Sequence, residues 1–193
     1  MKIIDIDFAK TIRHHTLLYG ETDTRKTYLT AQFIEFLIIS EKVNPDNITI
    51  LDFAPPLKTI NNIKFGGKIK DYSEISLKCK YIPLKAEIIA PRFNAQNKKE
   101  LYNYLCYNYR ITQSCLQIFE ENPTDYLIIN DISLYLHLGN KKYLLYVING
   151  SQTFFGNTYY GTEIISRFSK LLSIKERKKV QFLIKYIENP IPT

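Results

Sequence analysis

Residues 16–27 have the sequence TLLYGETDTRKT, a short apolar segment followed by a glycine, a polar loop and a Lys-Thr pair. The short apolar segment Thr16–Tyr19 predicts a buried strand that runs into a turn at Gly20. A helix is predicted from Lys26 to about Lys42, because its apolar residues recur at helical spacing. The apolar face of this helix carries Leu29, Phe33, Phe36 and Leu37. The segment therefore predicts a strand, a loop and a helix in that order.

The next apolar segment, Ile48–Phe53, predicts a second buried strand, which Ala54-Pro55-Pro56 closes. Two strands joined by a helix form a βαβ unit. The strands of such a unit are parallel, and the connection between them is right-handed.

The rest of the chain continues this alternation. Residues 57–74 are predicted to be an irregular surface loop. Further strands are predicted at Lys80–Leu84 or Ala86–Ala90, at Asp125–Ser133 and at Thr153–Asn157. Helices are predicted at Asn97–Glu121, Lys141–Ile148 and Ser173–Ile187, the last opened by a capping box of Ser173 and Glu176. The pattern indicates an α/β fold, a three-layer sandwich with a mainly parallel central sheet, and residues 1–193 fit a single domain.

The composition of the chain restricts its partners and its compartment. A formal net charge of +7 favours anionic ligands without choosing among nucleotides, nucleic acid and phosphorylated metabolites. No helix-turn-helix, RNA-recognition or zinc-finger signature supports nucleic acid. The odd number of cysteines, 3, and the lack of a signal peptide or an apolar span predict a cytoplasmic protein with reduced thiols and no membrane contact. No zinc site is expected from Cys79, Cys106, Cys115, His14, His15 or His137.

Residues 20–27 (GETDTRKT) match the phosphate-binding pattern G-x-x-x-x-G-K-[ST] except at the second glycine, where Arg25 stands. In this pattern backbone N–H groups at the helix N-terminus bind phosphates, Lys26 neutralises them and Thr27 coordinates Mg²⁺. A residue with a side chain pays about 1–2 kcal/mol for the backbone conformation that glycine normally adopts there. The guanidinium of Arg25 could either add a phosphate contact or fill the phosphate site. The predicted ligand-binding residues are Gly20, Glu21, Thr22, Asp23, Thr24, Arg25, Lys26 and Thr27.

On these residues the chain resembles the P-loop NTPase superfamily, and the resemblance covers the order of elements over about residues 1–135. It implies ATP or GTP with Mg²⁺ as the ligand, and a metal-binding aspartate at the end of a buried strand. Asp131 fits that description because it follows the apolar segment Tyr126–Ile129, with Asn130 beside it. Thr27 and Asp131 are therefore the expected metal ligands. No glutamate follows Asp131, where many ATP-hydrolysing members carry one, so fast hydrolysis is not expected.

The order of the strands distinguishes two branches of this superfamily. An additional strand between the strands of Gly20 and Asp131 would indicate the RecA-like branch. Direct adjacency of those two strands would indicate the kinase and GTPase branch.

Four further sites have a functional and a structural interpretation. Asp52 ends the second strand, where open α/β sheets bind ligands, so it is a candidate base, metal ligand or substrate contact, or a turn residue. The basic loop Gly66-Gly67-Lys68 could close over an anion or form a surface turn. Arg92 could act on a transferring phosphate or form a surface salt bridge. Residues 157–161 (NTYYG) could hold a nucleobase or form an aromatic corner of the core.

Three functions remain open from the sequence. The first is an NTP-binding enzyme, a slow NTPase or a phosphotransferase, with Lys26, Asp131 and Asp52 as catalytic residues. The second is a catalytically inactive P-loop-fold module that serves in a protein or nucleic-acid assembly. The third is a nucleic-acid-binding protein. The acceptor, the choice between ATP and GTP and the oligomeric state are not determined by the sequence.

Overall fold

A computed structural model describes residues 5–60, 63–162, 164 and 168–193. Its central sheet is formed by β1 (His15–Gly20), β2 (Ile48–Asp52), β5 (Lys80–Tyr81), β6 (Tyr126–Asn130), β7 (Thr153–Tyr159) and β8 (Asn189–Pro192). These six strands lie in the order β5-β2-β6-β7-β1-β8, and every neighbouring pair is parallel. The prediction of a mainly parallel α/β sheet is confirmed.

The helices lie between the strands in sequence. They are α1 (Lys26–Glu35), α2 (Pro91–Asn94), α3 (Lys98–Glu121), α4 (Ser133–Leu136), α5 (Lys141–Ile148) and α6 (Lys170–Tyr186). A π-helical turn, Phe36–Ser40, continues α1 to nearly the predicted end of that helix.

Two separate hydrophobic clusters cover the two faces of the sheet. Leu17 and Phe154 belong to a cluster with buried residues of α3, α4, α5 and α6. The next residue of each strand, Leu18 and Phe155, belongs to a second cluster with buried residues of α1. Consecutive strand residues point to opposite faces, so this alternation gives the three layers that the sequence predicts.

One strand, β7, separates the strand that ends at Gly20 from the strand that precedes Asp131, because β1 and β6 both pair with β7. This is the order that the sequence analysis associates with the RecA-like branch. It also sets the carboxyl ends of β2, β6, β7 and β1 side by side along one edge of the sheet, where open α/β sheets bind ligands.

The predicted loop 57–74 is partly wrong, because it contains an antiparallel hairpin of β3 (Lys58–Ile60) and β4 (Ile63–Phe65). Two short 3₁₀ helices, Ile69–Asp71 and Glu74–Lys78, follow it. Strands of three residues are too short for an alternating pattern to be recognised. Asn61 and Asn62 lie outside the described residues.

Strand β8 was not predicted, because Pro190 and Pro192 argue against a strand interior. Among the described strands, β8 lies at the edge of the sheet and pairs with β1 alone, with Pro190 opposite Leu17 and Pro192 opposite Tyr19. An edge strand tolerates proline because the side without a partner needs no N–H donor.

The predicted capping box of the last helix is wrong. Helix α6 begins at Lys170, so Ser173 and Glu176 lie inside it rather than at its start. Glu176 is only 3% exposed and forms buried ion pairs. A glutamate in a capping box would instead face the N-terminus of its own helix.

Candidate functional site

The loop between β1 and α1 has a left-handed backbone at Arg25. This residue precedes the first helical residue and lies in the left-handed region, at φ +61° and ψ +15°. Its side chain is exposed. The arginine therefore adopts the conformation usually reserved for glycine, at a cost of about 1–2 kcal/mol.

Lys26 lies inside the curve of this loop. The side chain is 9% exposed, and Nζ donates hydrogen bonds to Gly20 O at 3.2 Å, to Thr24 Oγ1 at 2.9 Å and to Glu21 O. Burial lowers the pKa of Lys26 to about 8, against the attraction of Asp131 and other carboxylates. The ammonium is therefore preorganised among backbone groups and only partly hydrated, so it would interact strongly with an anion.

Neighbouring segments fix the ends of the loop. A Cβ at Gly20 would clash with the carbonyl oxygen of Thr193, the residue after β8, so this position requires a glycine. Thr24 Oγ1 lies 2.7 Å from Thr193 Oγ1. The carboxylate of Glu21 accepts a hydrogen bond from Thr162 N after β7. These contacts make Glu21 and Thr24 positioning residues of the loop.

Thr27 contacts the end of β6 through Asn130 rather than Asp131. Its hydroxyl donates to Asn130 Oδ1 at 3.2 Å. Asn130 is fully buried, and its amide donates to Asp52 Oδ1 at 2.7 Å and to Gly67 O at 3.0 Å. Asn130 thus connects the first turn of α1 to β2 and to the loop that follows the hairpin.

Asp131 lies one residue beyond β6 and is half-buried in the wall of a cavity that Lys26 also lines. Its φ of +56° takes it out of the strand, and Oδ1 accepts a 2.6 Å hydrogen bond from Ser133 Oγ. Burial raises the pKa of Asp131, against the hydrogen bond from Ser133 and the charges of His137 and Lys26. The carboxylate is thus placed to accept a metal ion or a proton.

Asp52 is 7% exposed, and protein groups occupy both of its carboxylate oxygens. Oδ1 accepts the Asn130 amide, and Oδ2 accepts Ile69 N at 2.9 Å. Lys68 Nζ donates to Asp52 O at 3.1 Å. Burial raises the pKa of Asp52, against the charge of Lys68. The geometry therefore favours a structural role for Asp52, which holds the Gly66-Gly67-Lys68 loop against the sheet.

Arg92 is buried rather than on the surface. Its guanidinium pairs with Glu176, and the two side chains are 6% and 3% exposed. His137 Nε2 lies 3.3 Å from the other oxygen of Glu176. Burial alone would raise the pKa of Glu176, but His137 and Arg92 together lower it. The salt bridge predicted for Arg92 exists, but inside the protein and beside the cavity.

Asn157 does not offer its amide to a nucleobase. Its Nδ2 donates to Thr30 Oγ1 at 2.9 Å and to Asn130 Oδ1 at 2.8 Å. Its Oδ1 accepts Asp131 N at 3.1 Å. Asn157 therefore holds the turn at Asp131, and the structural interpretation of residues 157–161 is the better supported one at this position.

The hairpin packs directly onto the loop Gly20–Thr27. Thr22 Oγ1 donates to Lys64 O at 2.7 Å, and Lys64 Nζ lies 3.8 Å from Asp23 Oδ1. Phe65 stacks on Phe93 of α2, with ring centroids 3.8 Å apart and an interplanar angle of 9°. The hairpin thus forms one wall of the cavity.

The cavity opens over the carboxyl ends of β1, β7, β6 and β2 and is lined by more positive than negative side chains. Among the described lining residues, the positive side chains are Arg25, Lys26, Lys64 and Arg92, and the negative ones are Asp23 and Asp131. Within the described part of the chain, no three His, Cys, Asp or Glu side chains converge on a metal position. A cavity of this charge suits an anion that brings metal-binding oxygens of its own.

No protein-family model matches the chain, and no curated protein matches it. Among solved structures, the chain is similar to the flagellar accessory protein FlaH from Methanocaldococcus jannaschii. The two share 12% sequence identity with a TM-score of 0.41, over 90% of this chain and 75% of that chain. The α/β fold with a parallel central sheet follows from the order and direction of the strands. In residues 5–60, 63–162, 164 and 168–193, no helix is long and apolar enough to cross a bilayer.

Sequence reasoning missed three parts of the site. Lys64 and Phe65 belong to a segment predicted to be irregular, and no element was predicted at Phe93, on which Phe65 stacks. The pairing of Glu176 with Arg92 and His137 joins residues that are far apart in sequence. The one local signal was Glu176 itself, a glutamate in an otherwise basic segment, residues 175–179 (KERKK).

Proposed function

We propose that this protein binds a nucleoside triphosphate with Mg²⁺ at the loop Gly20–Thr27 and acts as a slow NTPase or a phosphotransferase. The observation that carries the proposal is the position of Lys26. Its ammonium lies among loop oxygens at the start of α1, directly after a residue in the left-handed conformation. A strand, a loop and a helix N-terminus in this geometry form an anion-binding site.

The residues present fit this ligand. The exposed side chain of Arg25 lines the cavity beside Lys26, which favours the interpretation that it adds a phosphate contact. The Thr27 hydroxyl and the Asp131 carboxylate would hold Mg²⁺ together with phosphate oxygens and water. Mg²⁺ is commonly bound by one or two carboxylates plus substrate phosphates, so no larger carboxylate cluster is needed. When bound, the ion neutralises charge on the phosphate oxygens.

Calorimetric titration with ATP and with GTP, each with Mg²⁺, tests the proposal on wild type, Lys26→Ala and the exposed-surface control Lys99→Ala. Micromolar binding by wild type and the control, lost in Lys26→Ala, is expected. Equal binding by wild type and Lys26→Ala would refute the proposal. The same titrations show whether the protein prefers ATP or GTP.

One observation favours the alternative, a catalytically inactive P-loop-fold module. Ile132 follows Asp131 where many hydrolysing proteins of this superfamily carry a glutamate. Turnover separates the two functions: a phosphate-release assay above the Lys26→Ala background supports an enzyme. Nucleotide binding without turnover, with or without an added acceptor or nucleic acid, supports the inactive module.

A further inference from the structure

Helices α5 and α6 carry the whole net charge of the protein. They contain eight of its 26 Lys and Arg residues and one of its 19 Asp and Glu residues. The remaining 18 residues of each sign cancel, so the charge of +7 is concentrated on these two helices. Positive charge that is clustered on one part of a surface, rather than spread over it, is typical of proteins with a polyanionic partner.

The two helices present their charges on a common surface. Lys141 Nζ at the start of α5 lies 4.4 Å from the centre of the Phe182 ring on α6. Burial lowers the pKa of Lys179, and the charges of Lys175 and Lys141 lower it further, against the attraction of Glu176. Lysines from both helices therefore act on the same point and form one positive field.

The exposed face of α6 is basic at both ends and in the middle. With 3.6 residues per turn, Lys178 lies at the centre of this face, and the other exposed lysines are Lys170, Lys175 and Lys185. The opposite face belongs to the core, where the buried residues are Leu172, Glu176, Val180 and Leu183. Among the described residues, no carboxylate forms an ion pair with a lysine of α5 or α6. The positive charge of this surface is thus not balanced by the described part of the chain.

Aromatic rings lie among these lysines. Phe182 and Tyr186 pack with ring centroids 4.5 Å apart, and Lys185 Nζ lies 5.6 Å from the centre of the Tyr186 ring. The rings of Tyr186 and of Tyr146 on α5 are exposed. Lysines contact the phosphates of a nucleic acid, and exposed rings stack on unpaired bases without selecting a sequence. The combination suits a single strand.

An anionic membrane is the other polyanion that a basic helix can contact, and the exposed Leu171 and Ile174 would favour it. A helix that lies on a membrane, however, turns a continuous apolar face to the lipid and keeps its lysines on the polar face. In α6 the apolar face packs into the core, and Lys178 and Lys185 lie in the middle of the exposed face. This arrangement fits a nucleic acid better than a lipid surface.

We propose that the outer surface of α5 and α6 binds single-stranded nucleic acid, with Lys178 and Lys185 on the phosphate backbone and Tyr186 on a base. The cavity lies on the other side of α6, where Glu176 pairs with the cavity residues Arg92 and His137. The surface therefore goes beyond the proposed function and does not depend on it. Binding through charge and stacking should tolerate any sequence and weaken steeply with salt.

Fluorescence anisotropy of labelled oligo(dT) and oligo(U), each about 20 nucleotides long and titrated at 50 and 200 mM salt, tests the surface. Lys178→Ala/Lys185→Ala is compared with wild type and with Lys98→Ala/Lys99→Ala, which removes two exposed lysines from α3. We expect the α6 variant to bind about tenfold or more weakly than wild type at 50 mM salt. Its salt dependence should also be shallower, because each neutralised phosphate contributes about −0.7 to the slope of log K against log salt. The α3 variant changes the net charge equally but should bind nearly as tightly as wild type.

The aromatic contact is tested in the same assay. Tyr186→Ala is expected to weaken binding about fivefold or more, through the loss of a stacking ring. The control is Tyr102→Ala on α3, because Tyr102 is 60% exposed and Tyr186 is 54% exposed. Circular dichroism shows that each variant is folded.

Four outcomes would overturn the proposal. The first is that neither strand binds wild type at 50 mM salt. The second is an equal loss in the two double variants, which would indicate a general attraction to net charge. The third is that a duplex of the same length binds as tightly as the single strand, which would exclude stacking on exposed rings. The fourth is binding to vesicles of phosphatidylcholine and phosphatidylserine without binding to the strands, which would assign the surface to a membrane.

Lys26→Ala separates this proposal from the proposed function. It should bind both strands as wild type does, because Lys26 lies in the cavity and not on the outer surface of α6. Loss of strand binding in Lys26→Ala would place the nucleic acid at the loop and refute the surface. Strand binding by a protein that binds neither ATP nor GTP would refute the proposed function alone.

Discussion

The hydroxyl of Thr27 donates a 3.2 Å hydrogen bond to the side-chain oxygen of Asn130. This bond joins the first turn of α1 to the end of β6, two strands away from the strand that leads into the loop. The amide of Asn130 is also the donor to Asp52 at 2.7 Å. A neutral side chain at this position therefore satisfies a hydroxyl donor and a carboxylate acceptor together.

Replacing Asn130 by aspartate is expected to destabilise the fold by about 1–3 kcal/mol at pH 7.5, because a buried donor is lost and a second carboxylate faces Asp52. One of the two carboxylates then holds its proton to a higher pH in the folded than in the unfolded protein. Stability relative to wild type should consequently fall as the pH rises from 5 to 7.5. Urea unfolding at the two pH values measures the difference, with the exposed Asn103→Asp as control. A loss that does not change with pH would contradict the pairing of Asn130 with Asp52.

Arg25→Gly is expected to stabilise the fold by about 0.5–1 kcal/mol. The left-handed φ of +61° strains an arginine but not a glycine, and the extra freedom of glycine in the unfolded chain offsets part of the gain. Thermal or urea unfolding measures this change. Arg25→Ala removes the guanidinium but keeps the strain, so it should not stabilise the fold. If both variants raise the free energy of unfolding equally, the gain comes from removing the charge of Arg25 and not from relaxing its backbone.

The regular elements were predictable because their signals are local. The four consecutive apolar residues of β6, the helical spacing in α3 and the apolar run before Gly20 each indicate one element within a short window. The two prolines of β8 are compatible with a strand only because that strand lies at the sheet edge. Its place in the sheet depends on pairing with β1, some 170 residues earlier in the chain, which no local pattern reports.

At the end of β6 the sequence pointed to Asp131, whereas the residue that contacts Thr27 is its neighbour Asn130. The sequence places polar residues after an apolar strand but does not show where the strand ends, and adjacent residues point in opposite directions. The turn at Asp131 decides which side chain meets Thr27. The buried pairing of Arg92 with Glu176 was beyond prediction, because it joins α2 to α6 across 84 residues of sequence, and no local pattern reports such a contact.

Nucleotide affinity is expected to fall as the pH rises above about 8. The pKa of Lys26 is lowered to about 8 by burial, and a bound phosphate favours the charged ammonium, so the pKa in the complex is higher. Affinity is then constant below pH 8 and decreases up to tenfold per unit above it. Calorimetry with Mg-ATP at pH 7, 8 and 9 measures the effect. Lys26→Arg, if it binds, should give a flat profile, and a flat wild-type profile would contradict the assignment to Lys26.

Glu176→Gln is expected to cost about 3–5 kcal/mol of stability, because it leaves the buried Arg92 without its counter-ion. Replacing both partners, in Arg92→Met/Glu176→Leu, removes both charges and should cost clearly less. Urea unfolding compares the two variants. The matched control is Glu188→Gln, which breaks an exposed pair with His14 and should cost less than about 1 kcal/mol. If the double variant is as unstable as Glu176→Gln, the loss of stability comes from disturbed packing and not from the unpaired charge of Arg92.

Lys64 should distinguish the nucleotides by the number of their phosphates. Its ammonium lies on the hairpin wall, 3.8 Å from Asp23 and 46% exposed, and it lines the same cavity as Lys26. Because a half-exposed charge is screened by solvent, Lys64→Ala is expected to weaken ATP binding by about 1 kcal/mol, roughly fivefold. The loss should be smaller for ADP, since fewer phosphate oxygens reach the hairpin side.

Lys58→Ala is the control for Lys64, because Lys58 is an exposed lysine on the same hairpin and is not among the described residues that line the cavity. It changes the net charge equally but should leave both affinities within twofold of wild type. Equal losses in the two variants would indicate a general charge effect that weakens as salt is added. A loss confined to Lys64→Ala and larger for ATP than for ADP would establish the hairpin as part of the phosphate site.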